Sequence, residues 1–81
     1  MKFHELKTYD KYFDDIVNGN KTFEVRENDR DFKVGDILIL CEYLPVKNVH
    51  TGRQVAREIK YILKGGRFGI KKGYVVMGLI G

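Results

Sequence analysis

The sequence predicts a small α+β domain, mostly β, whose sheet closes or nearly closes on itself. Three observations predict it. Apolar and polar residues alternate with a period of two in several segments, as half-buried strands require. One segment of helical period falls between the first two of these. The chain has 81 residues, enough for one core and one domain over residues 1–81. In so short a chain, a rolled sheet of five to six strands with one or two short helices also protects its edges.

The first strand is Phe3 to Lys7, with His4 and Leu6 on one face and Phe3, Glu5 and Lys7 on the other. Asp10 follows as a candidate N-cap for a helix over 11–18. Tyr12, Phe13, Ile16 and Val17 give that helix its apolar stripe, and Asn18-Gly19 ends it. At about two turns it depends on packing rather than propensity. Thr22 to Arg26 alternates again, Phe23 and Val25 against Thr22, Glu24 and Arg26. A charged loop, Glu27 to Lys33, leads to Gly35-Asp36 and the strand Ile37 to Tyr43, whose Ile-Leu-Ile-Leu run suggests burial on both faces. Leu44 to Gly52 reads as a loop and Arg53 to Leu63 as a long strand, one face carrying Val55, Arg57, Ile59, Tyr61 and Leu63. Lys64 to Gly73 is a basic, Gly-rich loop, and Tyr74 to Ile80 is the last strand.

Composition excludes several classes of function. A hydrophobic content of 43% with 32% charged residues belongs to a folded chain rather than a disordered one. The longest apolar run, Ile37 to Cys41, is far short of the roughly 20 residues of a membrane span. Lys2, His4, Glu5 and Lys7 interrupt the place where a signal peptide would have its apolar core. The single cysteine, Cys41, excludes an intrachain disulfide framework and a Cys-rich zinc site, so a cytoplasmic location is expected. Cys41 lies in the most apolar strand and reads as a structural thiol rather than a nucleophile. His4 and His50 share no metal-ligand spacing, and neither a metal nor a cofactor is expected.

The net charge is +4, unevenly placed. Residues 1–40 carry 7 basic and 9 acidic side chains, whereas residues 41–81 carry 8 basic and 2 acidic. A basic half marks either a polyanion-binding face or a set of solubilising lysines. The loop 65–73, with Arg67, Phe68, Lys71 and Lys72, either wraps a single strand with a base stacked on Phe68 or is a solvated hairpin connection. It lacks the GxxxxGK[ST] pattern of a phosphate-binding loop.

Two polar features carry chemistry. Lys21, Thr22, Glu24 and Arg26 form a cation–carboxylate–cation run at the start of a strand. Such a face can grip a phosphate or a base edge, and it can equally be a solvated face of mutual ion pairs. Arg57 sits among apolar neighbours and needs a carboxylate, for which Glu24 is the candidate, a phosphate, or a bulge that lets it out to water.

The run Gly19 to Arg26 fits the pattern GxKxxExR, and Phe32 to Asp36 fits F-x-x-G-D. In these positions the chain resembles the ASCH domain family of the PUA-like superfamily. Over nearly its whole length, with His4 to Lys7, Arg30 to Phe32 and Thr51 to Glu58, it is similar to a small bacterial and phage subfamily of unknown function, DUF3850. The resemblance implies a PUA-like open pseudo-barrel with a ligand cleft between helix and barrel. It implies binding of RNA or a nucleotide-like ligand there, with Lys21, Glu24 and Arg26 lining the cleft. Strand parity adds His4 and Arg57, Thr22 is adjacent, and Lys71 and Lys72 of the basic loop would meet phosphates. A monomer is expected. The alternative is a small amidohydrolase acting on a modified nucleoside such as N4-acetylcytidine. The amidohydrolase relatives' lysine aligns with Lys21, but their catalytic threonine aligns with Glu24, which leaves the expected nucleophile absent.

Overall fold

The computed structural model describes all residues, Met1–Gly81. It contains β1 (Phe3–Tyr9), α1 (Asp10–Val17), β2 (Phe23–Glu27), β3 (Ile37–Leu44), β4 (Val49–Lys64) and β5 (Tyr74–Ile80). The five strands form one sheet in the order β1-β3-β4-β5-β2, curled into a half-barrel. β1 and β3 are parallel, and the other neighbours are antiparallel. This is the mostly β architecture that the alternation predicts, rolled into the open pseudo-barrel that the resemblance implies. No helix is long and apolar enough to cross a membrane.

The concave face holds the core: Leu6, Ile16, Phe32, Leu38, Leu40, Ile59, Val75, Met77 and Leu79. Burying a side chain of this size is worth roughly 1.5–3 kcal/mol, so this cluster is the main source of stability. α1 closes part of that face with Phe13 and Ile16, each 1% exposed, while Tyr12 and Val17 stay half exposed. The expected four-residue stripe is therefore a two-residue one. Nor is Asp10 the N-cap. β1 runs on to Tyr9 and passes into the helix without a loop, so Tyr9 takes the cap position with no side-chain bond. Asp10 lies in the first turn, where its charge still suits the helix dipole.

From Ile37 to Glu42, β3 alternates between partly and fully buried residues, so along that stretch only its concave face is sealed; Tyr43 is buried on the other face. The expected 44–52 loop shrinks to Pro45–Asn48, and β4 begins at Val49. Two irregularities then shape β4. Between Cys41 and Tyr43 the register slips, and Gly52 inside the slip has φ +92, a backbone state that residues with a Cβ rarely adopt. A second slip lies between Ile59 and Tyr61. It reverses side-chain parity, so Ile59 is fully buried but Tyr61 is 66% exposed and Ile62 turns toward the core. The single face expected for Val55 through Leu63 is thus split at Lys60.

That second slip comes too late to release Arg57. Arg57 stays level with Leu38 on the concave side and is half-buried. Its Nη2 donates to the carbonyl of Ile16 at 3.1 Å and its Nη1 to that of Ala56 at 2.8 Å. Ile16 O belongs to the last turn of α1, where carbonyls lack intrahelical donors and the dipole is negative. Arg57 therefore pins the helix end to the sheet and is not the partner of Glu24.

The loop 65–73 is a tight fold rather than an open strap. Arg67 and Ile70 form a bridge, and Gly66 N–H donates to Ile70 O at 2.7 Å. At its neck a Cβ on Gly65 would lie 2.1 Å from the Lys71 carbonyl oxygen, so only glycine fits.

Candidate functional site

β1 and β2 are the two edges of the sheet, and they face one another across an unpaired seam. Side chains bridge it where backbone pairing does not. Arg26 Nη2 donates to Lys7 O, and Arg30 Nη1 donates to Glu5 O at 2.8 Å. These bonds satisfy two edge carbonyls of β1 that no strand reaches.

At the helix end of the seam lies a cleft of about 650 Å³, between the end of β1, the first turn of α1 and β2. Lys7, Thr8, Tyr12, Lys21, Glu24 and Arg26 line it, together with Tyr9, Phe23 and Val25. Glu24 is its centre. The run Phe23–Glu27 is turned inside out relative to an ordinary amphipathic strand: Phe23 and Val25 are half exposed, and Glu24 is only 4% exposed. Lys21 Nζ donates to Glu24 Oε1 at 2.8 Å, and Arg26 Nε donates to Glu24 Oε2 at 3.0 Å. A carboxylate this buried needs such partners, since an unpaired one would cost several kcal/mol. Lys21 also donates to Phe23 O at 2.9 Å, and its ammonium sits 5.0 Å from the Phe23 ring and 5.8 Å from the Tyr12 ring. The lysine is thus oriented before any ligand arrives.

Thr8 supplies what the motif lacks. It is 3% exposed, it lines the cleft, and its Oγ1 is buried with no hydrogen-bond partner among the protein's own groups. Leaving a buried hydroxyl unsatisfied costs about 1–3 kcal/mol. The strand expected from sequence ends at Lys7 and so leaves Thr8 out. Extending the alternation of His4 and Leu6 by one step would have put it on the same inward face.

The other residues singled out from sequence lie elsewhere. His4 is buried on β1, with Nε2 2.8 Å from Asp36 Oδ2 and its ring edge-on to Phe32 at 4.9 Å. Asp36 also accepts from the backbone N–H groups of Lys2 (3.0 Å) and Lys33 (3.1 Å). The bond with His4 leads in holding the Asp36 carboxyl at about 2, below its ordinary 3.8, and the two amides outweigh the opposing desolvation together with it. The F-x-x-G-D run is therefore a structural knot that ties β1 to β3. Thr22 is exposed, and its carbonyl accepts from Leu79 N–H at 2.9 Å. Lys71 and Lys72 are exposed on their hairpin and do not line the cleft. Burial, reinforced by Glu5, pushes the Cys41 thiol above its ordinary value, which suits an unreactive side chain.

A second polar knot, unread in the sequence, lies across the bulge at Gly52. Glu42 accepts from Thr51 Oγ1 at 2.7 Å and from Arg53 Nη1 at 3.4 Å, and Arg53 Nη2 reaches Asp14 of α1 at 2.9 Å. The bulge places Thr51 and Arg53 together opposite one β3 residue. No group of three or more His, Cys, Asp or Glu side chains is placed to hold a metal.

The model of a domain family of unknown function, DUF3850, matches residues 3–79. The "uncharacterized 12.9 kDa protein in GpA 3'region" of Escherichia phage P2 is 47% identical over 58 residues, which are 72% of this chain and 51% of the relative. The chain spans about half the length of that relative. With the match running from the first strand of the half-barrel to the last, the chain belongs to the DUF3850 family.

Proposed function

We propose that this is an ASCH-type module of the PUA-like superfamily and that the cleft around Glu24 binds a nucleotide, most naturally one carried by RNA. The observation that carries this reading is the unpartnered Thr8 Oγ1 in a cleft whose other polar groups are already oriented. A ligand that hydrogen-bonds Thr8 gives that hydroxyl a partner that no protein group supplies. Glu24 spends one lone pair of each oxygen on Lys21 and Arg26 and keeps the others for an exocyclic amine, the group by which a carboxylate reads cytosine. Tyr12 and Phe23 offer ring faces for a base, and the spare donors of Lys21 and Arg26 suit a phosphate.

Calorimetric titration with a panel of nucleoside 5′-monophosphates tests the reading. Saturable binding that weakens with salt and is lost in Lys21→Ala is the expected result. Absence of binding to the whole panel contradicts it. A second reading draws on the same cleft: the Thr8 hydroxyl, Lys21 and Glu24 together are groups that hydrolysis of a modified nucleoside would use. Acetate released from N4-acetylcytidine by the wild type, and lost in both Lys21→Ala and Glu24→Gln, would favour the hydrolase.

A further inference from the structure

The seam holds a second concavity, of about 560 Å³. Its polar lining includes Arg30, Arg53 and His50, with Glu5 and Glu42 as its carboxylates. It shares two residues with the first cleft, Lys7 and Arg26. The common wall of the two hollows is therefore a pair of cations.

We infer that the cleft holds one nucleotide of a single strand, and that the strand continues over Lys7 and Arg26 into the second concavity. This rests on the reading of the cleft as a nucleotide site. Each hollow alone has the volume of a single small-ligand pocket, about 300–1,000 Å³. Two in series suit two consecutive units of one chain. Ring faces lie in both, Tyr12 and Phe23 in the first and His50 in the second, where His50 is exposed and packs edge-on to Tyr43 at 5.1 Å. Between them the wall calls for an anion, which the phosphodiester linkage supplies. The pattern is aromatic, cationic, aromatic, as in grooves that stack bases and track the backbone of a single strand.

The charges agree. Arg26 uses Nε on Glu24 and Nη2 on the Lys7 carbonyl, which leaves its Nη1 free. Arg30 binds a backbone carbonyl through Nη1 and has only a loose 3.8 Å pairing with Asp29. Glu42 is occupied by Thr51 and Arg53, so Glu5 is the one lining carboxylate without a hydrogen-bonded cation. The path also differs from one over the 65–73 loop, none of whose residues lines either hollow.

Affinities of the whole chain for cytidine 5′-monophosphate and for a four-residue oligocytidylate, at one fixed low salt concentration, test this. The oligonucleotide is expected to bind at least about tenfold more tightly, corresponding to roughly 1.4 kcal/mol. The double change Arg30→Gln, Arg53→Gln should remove most of that gain while the mononucleotide affinity holds within about twofold. Arg30→Gln alone, on an exposed loop, gives a partial loss and serves if the Arg53 change disturbs Glu42. Equal affinity for the two ligands overturns the inference and leaves the single-nucleotide cleft standing. A gain kept in the arginine variants but lost in Lys71→Ala, Lys72→Ala overturns it too, since the strand then runs over the hairpin. A tetraglutamate peptide binding as tightly as the oligonucleotide would show a groove that reads negative charge only. Failure of both cytidine ligands removes the inference together with the reading beneath it.

Discussion

Asp36 and Glu24 are both buried carboxylates beside cationic or donor groups, yet they sit in opposite kinds of place. Asp36 is sealed. Its acceptors face His4 and two backbone amides of its own chain, under Phe32. Glu24 is equally buried but borders an open cleft, between two cations that each have donors to spare. Unspent hydrogen-bonding capacity separates a structural polar knot from a binding one. Both satisfy their carboxylate, but only one leaves unspent hydrogen-bonding capacity at a surface a ligand can reach. Thr8, at the same cleft, has capacity wholly unspent.

Removing the sealed carboxylate should do the most damage. Asp36→Ala leaves the Lys2 and Lys33 amides and His4 without their acceptor, and the cost is expected to be on the order of 3 kcal/mol. Urea unfolding measures it, and a loss under about 1 kcal/mol would mean that the knot is not holding β1 to β3. Acid provides the same test without mutation. The folded Asp36 carboxyl titrates at about 2 against an ordinary 3.8, so the unfolded chain takes up the proton first. The contribution is complete above pH 4 and is lost as the pH falls toward 2, by about 2 kcal/mol. The Asp36→Ala variant should show a flatter acid limb than the wild type.

Changing the open carboxylate should divide the effects differently. Glu24→Gln keeps an acceptor oxygen for Lys21 or Arg26 but drops the charge that holds both. A stability loss of about 1 kcal/mol is expected, with a ligand-affinity loss of about 1–3 kcal/mol. If stability fell as far as in Asp36→Ala while nucleotide affinity held, the two carboxylates would belong to one class and the distinction would fail.

Much of this was legible in the sequence, and the failures share a cause. Element order, the helix C-terminus at Asn18-Gly19 and the strand from Tyr74 to Ile80 follow from local pattern. The cluster of Lys21, Glu24 and Arg26 is visible because Glu24 and Arg26 share a strand face and Lys21 stands at the strand's entry. What local pattern cannot carry is the partner across the sheet. His4 and Asp36 are 32 residues apart in sequence, and the parallel register that sets His4 beside Leu38 brings them together. Charge alone points Arg57 to Glu24, but its acceptors are the Ile16 and Ala56 carbonyls, backbone groups with no signature in the residue type. Alternation puts Tyr61 on the face of Ile59, but the slip after Ile59 reverses parity with no glycine between Ile59 and Tyr61 to announce it. Phe23, Val25 and Glu24 invert the usual rule that apolar residues point inward, as binding sites are allowed to do.

The smallest change gives the most direct test of the cleft as a ligand site. Thr8→Val replaces a buried, unpartnered hydroxyl with a methyl of nearly the same shape. Stability and affinity for cytidine 5′-monophosphate should be measured on the same preparation. Thermal stability should hold or rise by up to about 1 kcal/mol, because no bond within the protein is lost, while affinity falls severalfold because the ligand loses its hydroxyl partner. Unchanged affinity, or a loss of stability of about 1 kcal/mol or more with affinity intact, would contradict the reading of the cleft as a ligand site.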